Sequence, residues 1–208
     1  MNSVNILFQD ADIIIVDKAP GILSVPGRGI EKLDSISHRL SLEFEEIHIV
    51  HRLDMATSGI MVFARNKDAL RNLQQQFQHR KTEKSYQAIL AGRLTPRQGA
   101  INLPMRCDWP NRPRQMVCYE FGKKSLTRWR VMDYIDGNTR VELQPFTGRS
   151  HQLRIHSDAL GHPILGDNLY GTVDSQNATE QLCLHAQCLS FTHPTENNWI
   201  TFSSLPPF

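Results

Sequence analysis

Residues 51–66 read HRLDMATSGIMVFARN. Six apolar or small residues, GIMVFA at 59–64, run unbroken between polar flanks, which is the pattern of a strand buried on both faces. Asn66 stands where a helix cap is needed. Beyond it Leu70, Leu73 and Phe77 fall on one helical face, while Arg71, Gln74, Gln75 and Gln78 fall on the other. The stretch thus predicts a loop, a buried strand and a helix. The loop places a histidine, an arginine and a carboxylate at the mouth of the strand. Arg52 and Asp54 could be a surface ion pair worth about 0–1 kcal/mol, or the carboxylate could be a reactive group. The rest of the chain has to decide.

Working outward, DIIIVDK at 12–18 reads as a strand closed by the turn residues APG. From Asp34, a candidate N-cap, Ile36, Leu40, Phe44 and Ile47 recur at helical spacing. SYQAILA at 85–91 and TRWRV at 127–131 alternate as strands do, with Tyr86, Ala88 and Leu90 on one side of the first and Thr127, Trp129 and Val131 on one side of the second. TRVELQPF at 139–146 is a further strand. TGRS then turns the chain into a helix over about 150–160 that ends at Gly161. LCLHAQCLSF and WITFSS are strand-like and finish the chain. Strands joined partly by hairpins and partly by helices imply a mixed α/β (α+β) architecture with a largely antiparallel sheet and helices packed on it. The length of 208 residues suits one domain, 1–208, or two closely packed halves.

Composition excludes several classes. With 40% apolar and 21% charged residues the chain is neither disordered nor membrane-like. Its first residues lack a basic start and are broken by Asp10, Asp12 and Asp17, unlike a signal peptide. Four cysteines without an export signal suggest reduced thiols in a cytoplasm. Cys183, His185 and Cys188 lie close in sequence, but Cys107 and Cys118 have ten residues between them and form no second knuckle. Core thiols therefore fit better than a metal site, and the expectation is no metal. A net charge of +2 is mild. Locally, however, residues 104–130 carry seven Lys/Arg against Asp108 and Glu120, interleaved with Trp109, Tyr119, Phe121 and Trp129. Such a segment could track phosphates and stack on bases, or be a hairpin with its aromatics in the core and its charges solvated.

A second dense cluster is TGRSHQLRIH at 147–156, where Arg149, His151, Arg154 and His156 crowd the start of a helix whose open amides favour an anion. RNA phosphate is one such anion and Asp54 is another. Arg154 beside Asp54 would keep that carboxylate ionised, ready to serve as nucleophile or base. Other chemistries lack parts. HRLD is like a kinase catalytic loop, yet there is no glycine-rich phosphate loop and no D-F-G. A glycosidase needs a second carboxylate in a comparable setting, and no G-x-S-x-G, Walker or H-E-x-x-H pattern occurs.

HRLDMATSG, together with DADIIIVDKAPGILSVPG, KSYQAILAG and TGRSHQLRIHSDALGHPILGD followed by LHA at 184–186, resembles the motif series of the RluA family of pseudouridine synthases. The likeness runs from about Ile6 to Ser204. It implies the pseudouridine synthase fold, a bent, mixed, largely antiparallel central sheet with flanking helices and an active-site cleft. The implied activity is cofactor-free isomerisation of uridine in RNA. By resemblance Asp54 is the catalytic aspartate, Tyr86 packs on the flipped uracil, Arg154 pairs with the aspartate, and Arg52 enters the stack that the uridine leaves. His51, Arg112, Arg114 and Arg149 join Arg52 as expected RNA-contacting residues. The first motif begins almost at Met1, so the S4 RNA-binding domain of larger members is expected to be absent. Implied substrates are 23S rRNA and tRNA anticodon stem-loops, acted on by a monomer in the cytoplasm without membrane partners. The alternative is a non-catalytic RNA-binding or folding factor on the same scaffold. Whether Asp54 attacks the sugar or removes a sugar proton stays open.

Overall fold

The apolar run after the aspartate loop forms a strand in which all seven residues, Ser58–Ala64, are buried. Burial on both faces requires cover on each, and the chain supplies it from several directions. Ile60, Val62 and Ala64 pack with Ile13 and Ile15, with Ala69 and Leu73 of the following helix, and with Leu189 and Phe191 near the carboxyl end. Truncating one such side chain, as in Leu73→Ala, costs about 2–5 kcal/mol.

The computed structural model describes residues 3–208, and they divide into two units, 3–84 with Ala186–Pro207, and Ser85–His185 with Phe208. The first unit opens with β1 (Asn5–Gln9), β2 (Ile13–Lys18), a 3-10 turn at Ile30–Lys32 and α1 (Ile36–Ser41). It continues with β3 (His48–Ile49), β4 (Ser58–Ala64) and α2 (Lys67–Gln78). β5 (Glu83–Leu90) leads into the second unit, with β6 (Gln98–Asn102), β7 (Met105–Cys107), β8 (Gln115–Val117), β9 (Leu126–Ile135), β10 (Asn138–Pro145), α3 (Gln152–Ala159) and α4 (Val173–Asn177). β11 (Leu184–Thr192) and β12 (Trp199–Ser203) return to the first unit.

In the first unit the strand order is β1-β2-β4-β11, with β12 on β11 and β3 on β4. β2 pairs antiparallel with β4, Ile14 opposite Phe63 and Lys18 opposite Gly59. Gly59 sits at φ 113°, where a side chain is strained, and a Cβ there would collide with the backbone of Ala186. α2 starts as its sequence predicts, with the Asn66 side chain accepting the Ala69 N–H at 2.8 Å. α1 starts one residue later than expected. Ser35 Oγ caps it by accepting the His38 N–H at 3.2 Å, whereas the Asp34 carboxylate is taken by Arg39, both contacts 2.7 Å. The helix ends at Ser41, so Phe44 lies beyond it, its ring 5.2 Å beneath the Arg65 guanidinium.

In the second unit β5-β10-β9-β6 form an antiparallel sheet. Thr127, Trp129 and Val131 are buried on one face of β9 and Arg128 and Arg130 exposed on the other, as the alternation requires. β7 and β8 form a separate hairpin. Of the four aromatics in 104–130 only Trp129 is buried; Trp109, Tyr119 and Phe121 are exposed. The hairpin therefore exists, but its own aromatics lie outside the core. α3 closes at Gly161, φ 79°, whose N–H reaches the Asp158 carbonyl at 2.8 Å while the His162 N–H reaches that of Ser157.

Candidate active site

Asp54 sits in the loop between β3 and β4, and the first unit fixes that loop from below. The Leu53 N–H donates to Ser24 Oγ at 3.0 Å, and the same hydroxyl donates back to the Leu53 carbonyl at 2.7 Å. The Thr57 N–H closes a turn on the Asp54 carbonyl at 3.1 Å. Beneath lies Lys18, fully buried, whose ammonium donates to the carbonyls of Ala19, Ile22 and Met55 at 3.0, 2.8 and 3.0 Å. Burial lowers its pKa to about 8, and the negative charge of Asp54 opposes that shift. The sequence reading passed over Lys18, although it continues the buried alternation of Ile14 and Val16 along β2. That phase was the available signal.

The two neighbours of Asp54 in the motif differ. Arg52 is exposed. His51 is built into the framework: its Nε2 accepts the Val62 N–H of β4 at 3.1 Å, and its ring stacks on Phe77 of α2 at 4.7 Å. An Nε2 acting as acceptor puts the imidazole proton on Nδ1. Burial, aided by the Lys84 charge, holds the pKa down at about 3, so the ring is neutral at pH 7.

The second unit carries the other two residues of the expected catalytic set. Tyr86 on β5 lies opposite Leu143 of β10, half-buried where Ala88 and Leu90 of the same face are fully buried. Arg154 is buried in α3 and paired with Asp167, Nε to Oδ2 at 2.8 Å and Nη2 to Oδ1 at 2.5 Å. Asp167 Oδ1 also accepts the N–H groups of Leu169 and Tyr170 at 3.0 and 3.1 Å, and the guanidinium lies 5.3 Å from the Tyr170 ring centre. A planar fork held on two oxygens, with a backbone-bound carboxylate behind it, is rigid. Asp167 is a site-building residue that reading Arg154 alone could not reveal.

The helix start is not an array of cations. His156 is buried between Thr127 Oγ1 at 2.9 Å and Ser125 Oγ at 3.0 Å, and burial lowers its pKa to about 4, so it is a neutral core histidine. Gln152 folds back, its Oε1 accepting the Arg149 N–H at 3.1 Å and the Thr147 hydroxyl at 2.7 Å. His151 takes the left-handed conformation, φ 54°, with Nδ1 2.8 Å from the Tyr170 hydroxyl. Arg149 reaches the Lys124 carbonyl at 3.3 Å. Arg112 lies 4.0 Å over the exposed Trp109 ring and Arg114 5.3 Å over that of Tyr170.

A metal finds no natural seat in the Asp10, Asp12 and His193 cluster. There His193 Nδ1 accepts the N–H groups of Thr195 and Glu196, so its Nε2 carries the proton and donates to Asp10 Oδ2 at 2.9 Å. Ligation through Nε2 would displace that proton to Nδ1 at the cost of both backbone hydrogen bonds accepted there. Cys183 is buried and its pKa raised by burial, as for an inert core thiol.

The sequence profile of the RNA pseudouridylate synthase family matches residues 12–159. The chain belongs to that family and is, by that membership, an RNA-modifying isomerase. Within it, the chain is 48% identical over 204 residues to the dual-specificity RNA pseudouridine synthase RluA of Escherichia coli strain K12, covering 98% of this chain and 93% of that one. It is 46% identical over 206 residues to the enzyme of the same name from Pasteurella multocida, covering 99% and 94%. The solved structure of human RNA pseudouridylate synthase domain containing 1 superposes with a TM-score of 0.83 at 29% identity, over 99% of this chain and 84% of that one.

Proposed function

We propose that the protein isomerises particular uridines to pseudouridine in two kinds of RNA, a 23S rRNA hairpin and tRNA anticodon stem-loops, with Asp54 as the catalytic residue. What carries the reading is the anchorage of the Asp54 loop: a carboxylate of no importance would not need a buried ammonium and a reciprocal serine clamp under its backbone. The name of the relatives, dual-specificity, supports two substrate classes. The N1–C1′ bond breaks with its electron pair leaving on the uracil anion, and C1′ is compensated either by a bond to an Asp54 oxygen or by loss of a sugar proton to Asp54. The base turns and C5 bonds to C1′ as the Asp54 bond breaks or the sugar proton returns; the proton displaced from C5 is carried by solvent to N1, so the product is an isomer of the substrate.

In this reading Tyr86 holds the face of the extruded base and Arg154 keeps Asp54 ionised. Arg52 fills the vacated stack. Wedging a side chain into the stack costs a few kcal/mol of unstacking, which favours loops already loosely stacked. Arg112, Arg114 and Arg149 hold phosphates, His51 lies at the RNA-facing loop as its positioning residue, and the protein acts as a cytoplasmic monomer. None of the described helices is long and apolar enough to cross a membrane.

The test is incubation of the protein, in EDTA, with total RNA lacking the modification, followed by mapping of pseudouridine. New pseudouridines in both RNA classes are expected. Free uracil would instead indicate a base-releasing glycosylase, and RNA bound but unchanged would indicate a folding factor.

A further inference from the structure

The second unit holds a pocket of about 470 Å³ that is lined by none of Asp54, Tyr86 and Arg154. Its walls come from the loop after β7, from β8, from the outer flank of α3 and from Tyr170. The volume is that of a small-ligand site. Met116, Ile155 and Tyr170 contribute apolar surface to its lining, and Asp108 and Asp158 are the two acidic residues among its walls. The last turn of α3, which carries Asp158, adds the negative end of the helix. Arg114 is the one cation of the wall, lying over the Tyr170 ring and acting on Asp158 through its charge.

This chemistry selects its occupant. Two carboxylates and a helix C-terminus repel a phosphate, although exposed arginines surround the hairpin. They call for a group rich in hydrogen-bond donors, and in an RNA such a group is the edge of a base. Asp108 Oδ2 already accepts the Asn111 side-chain amide at 2.9 Å, and the Asp158 carboxylate, which accepts the Gly171 backbone N–H, keeps acceptor capacity beyond that one bond. Partial burial and the nearby Asp167 charge raise the Asp158 carboxyl against the opposing Arg114 charge and Gly171 N–H, so further hydrogen bonds from a ligand would favour its ionised form. Among the bases only guanine presents two parallel donors, N1–H and the N2 amine, matched to one carboxylate. RNA-binding proteins commonly read splayed loop bases by edge hydrogen bonds and stacking on arginine or aromatic planes. Resting on the function proposed above, we propose that this pocket takes an unpaired guanine swung out of the substrate loop, its Watson–Crick edge on Asp158 and its ring on the apolar lining of Met116 and Ile155.

The test uses short stem-loop RNAs bearing the target uridine, with G, inosine, A, C or U at each other unpaired position, assayed with the whole protein for binding and for turnover. At one position, replacing guanine by inosine, which lacks only the N2 amine, should weaken binding and kcat/KM roughly tenfold, the loss of one hydrogen bond to a charged group, while kcat at saturation changes little. Asp158→Asn is an exposed change whose folding is checked by Tm, and it should erase the difference between guanine and inosine. Ala159→Trp, which fills the pocket from an exposed helix position, should bring the guanine RNA down to the affinity of the inosine RNA. The proposal is overturned if no position prefers guanine in the parent protein, or if Asp158→Asn retains the preference. Failure of the parent to isomerise any stem-loop would instead overturn the function on which it rests, and the binding preference is read independently of that outcome.

Discussion

Lys18 in the first unit and Arg154 in the second are both buried cations, and they are stabilised in opposite ways. Arg154 meets a carboxylate that is itself held by two backbone amides. Lys18 meets three backbone carbonyls, and Asp54 reaches it through charge. The arginine is thus held in one orientation by a carboxylate other than the one proposed to react, while the lysine feels the charge of the reactive carboxylate itself. A fixed guanidinium–carboxylate pair makes a scaffold. An ammonium under a loop ties the charge state of the reactive group to the folding of its support.

The sharpest way to break this contrast is Asp54→Asn. We expect turnover to vanish with RNA binding retained, because the volume stays and only the reactive charge goes. The pKa of Lys18 should fall further, since its one opposing charge is gone, and this is measurable by NMR titration of the lysine. Turnover near the parent rate would end the assignment.

Arg154→Ala should cost about 3–5 kcal/mol of stability by stranding Asp167, and activity with it. Arg154→Lys should recover only part of both, because a point charge cannot reproduce the fork. Urea denaturation alongside the isomerase assay tests this, and a fully active lysine variant would refute the bidentate role.

Lys18→Met should act less on stability and more on turnover. It relieves the burial of the amine but strips the donor from three carbonyls around the Asp54 loop. Its signature is in pH. The unfolded lysine keeps its proton to about 10.5 while the folded one releases it near 8. Between these values the unfolded chain binds more protons, and stability from this group rises with pH. That rise should be absent in Lys18→Met.

On the acid side two histidines give a smaller, separable effect. His51 and His156 have folded pKa values of about 3 and about 4, below the ordinary 6.5. Their contribution is complete above pH 6.5 and is lost as pH falls toward 4, where the unfolded chain takes up protons that the fold refuses. The slope of unfolding free energy against pH should approach two protons near pH 5 and fall by one in His156→Gln. Smallest of all, Arg52→Ala should impair turnover on both RNA classes while barely changing the salt dependence of binding, whereas neutralising Arg112 and Arg114 together should lower that salt slope by about two.

The legible parts of the chain were those where a single period dominates. The buried run of β4, the two-sided β9 and the Asn66 cap of α2 each follow from side-chain spacing alone. The β7–β8 hairpin was harder, since strands of three residues, MRC and QMV, carry too few positions for any period. At α1, Asp34 and Ser35 both have capping chemistry, and the choice fell to Ser35 because Arg39 takes the carboxylate. Within the site, Asp54, Tyr86 and Arg154 stood out as motif residues. The groups that support them, Lys18 and Asp167, lie 36 residues before Asp54 and 13 after Arg154, a relation that only the fold makes visible. His156 misled for the converse reason. Charge type is written in the sequence, but burial between Ser125 and Thr127 is not.

The complete burial of β4 has a consequence on the timescale of amide exchange. A strand with neighbours on both edges and no exposed residue has amides that exchange with solvent mainly when the whole unit opens. Deuterium uptake at Ile60–Phe63 should therefore be among the slowest in the protein and report its global opening free energy directly. Asp54 hangs four residues upstream of this strand. Faster exchange at Asp54 and Met55 than at Ile60 would give, on one short stretch of chain, the free-energy gap between loosening the loop and losing the fold.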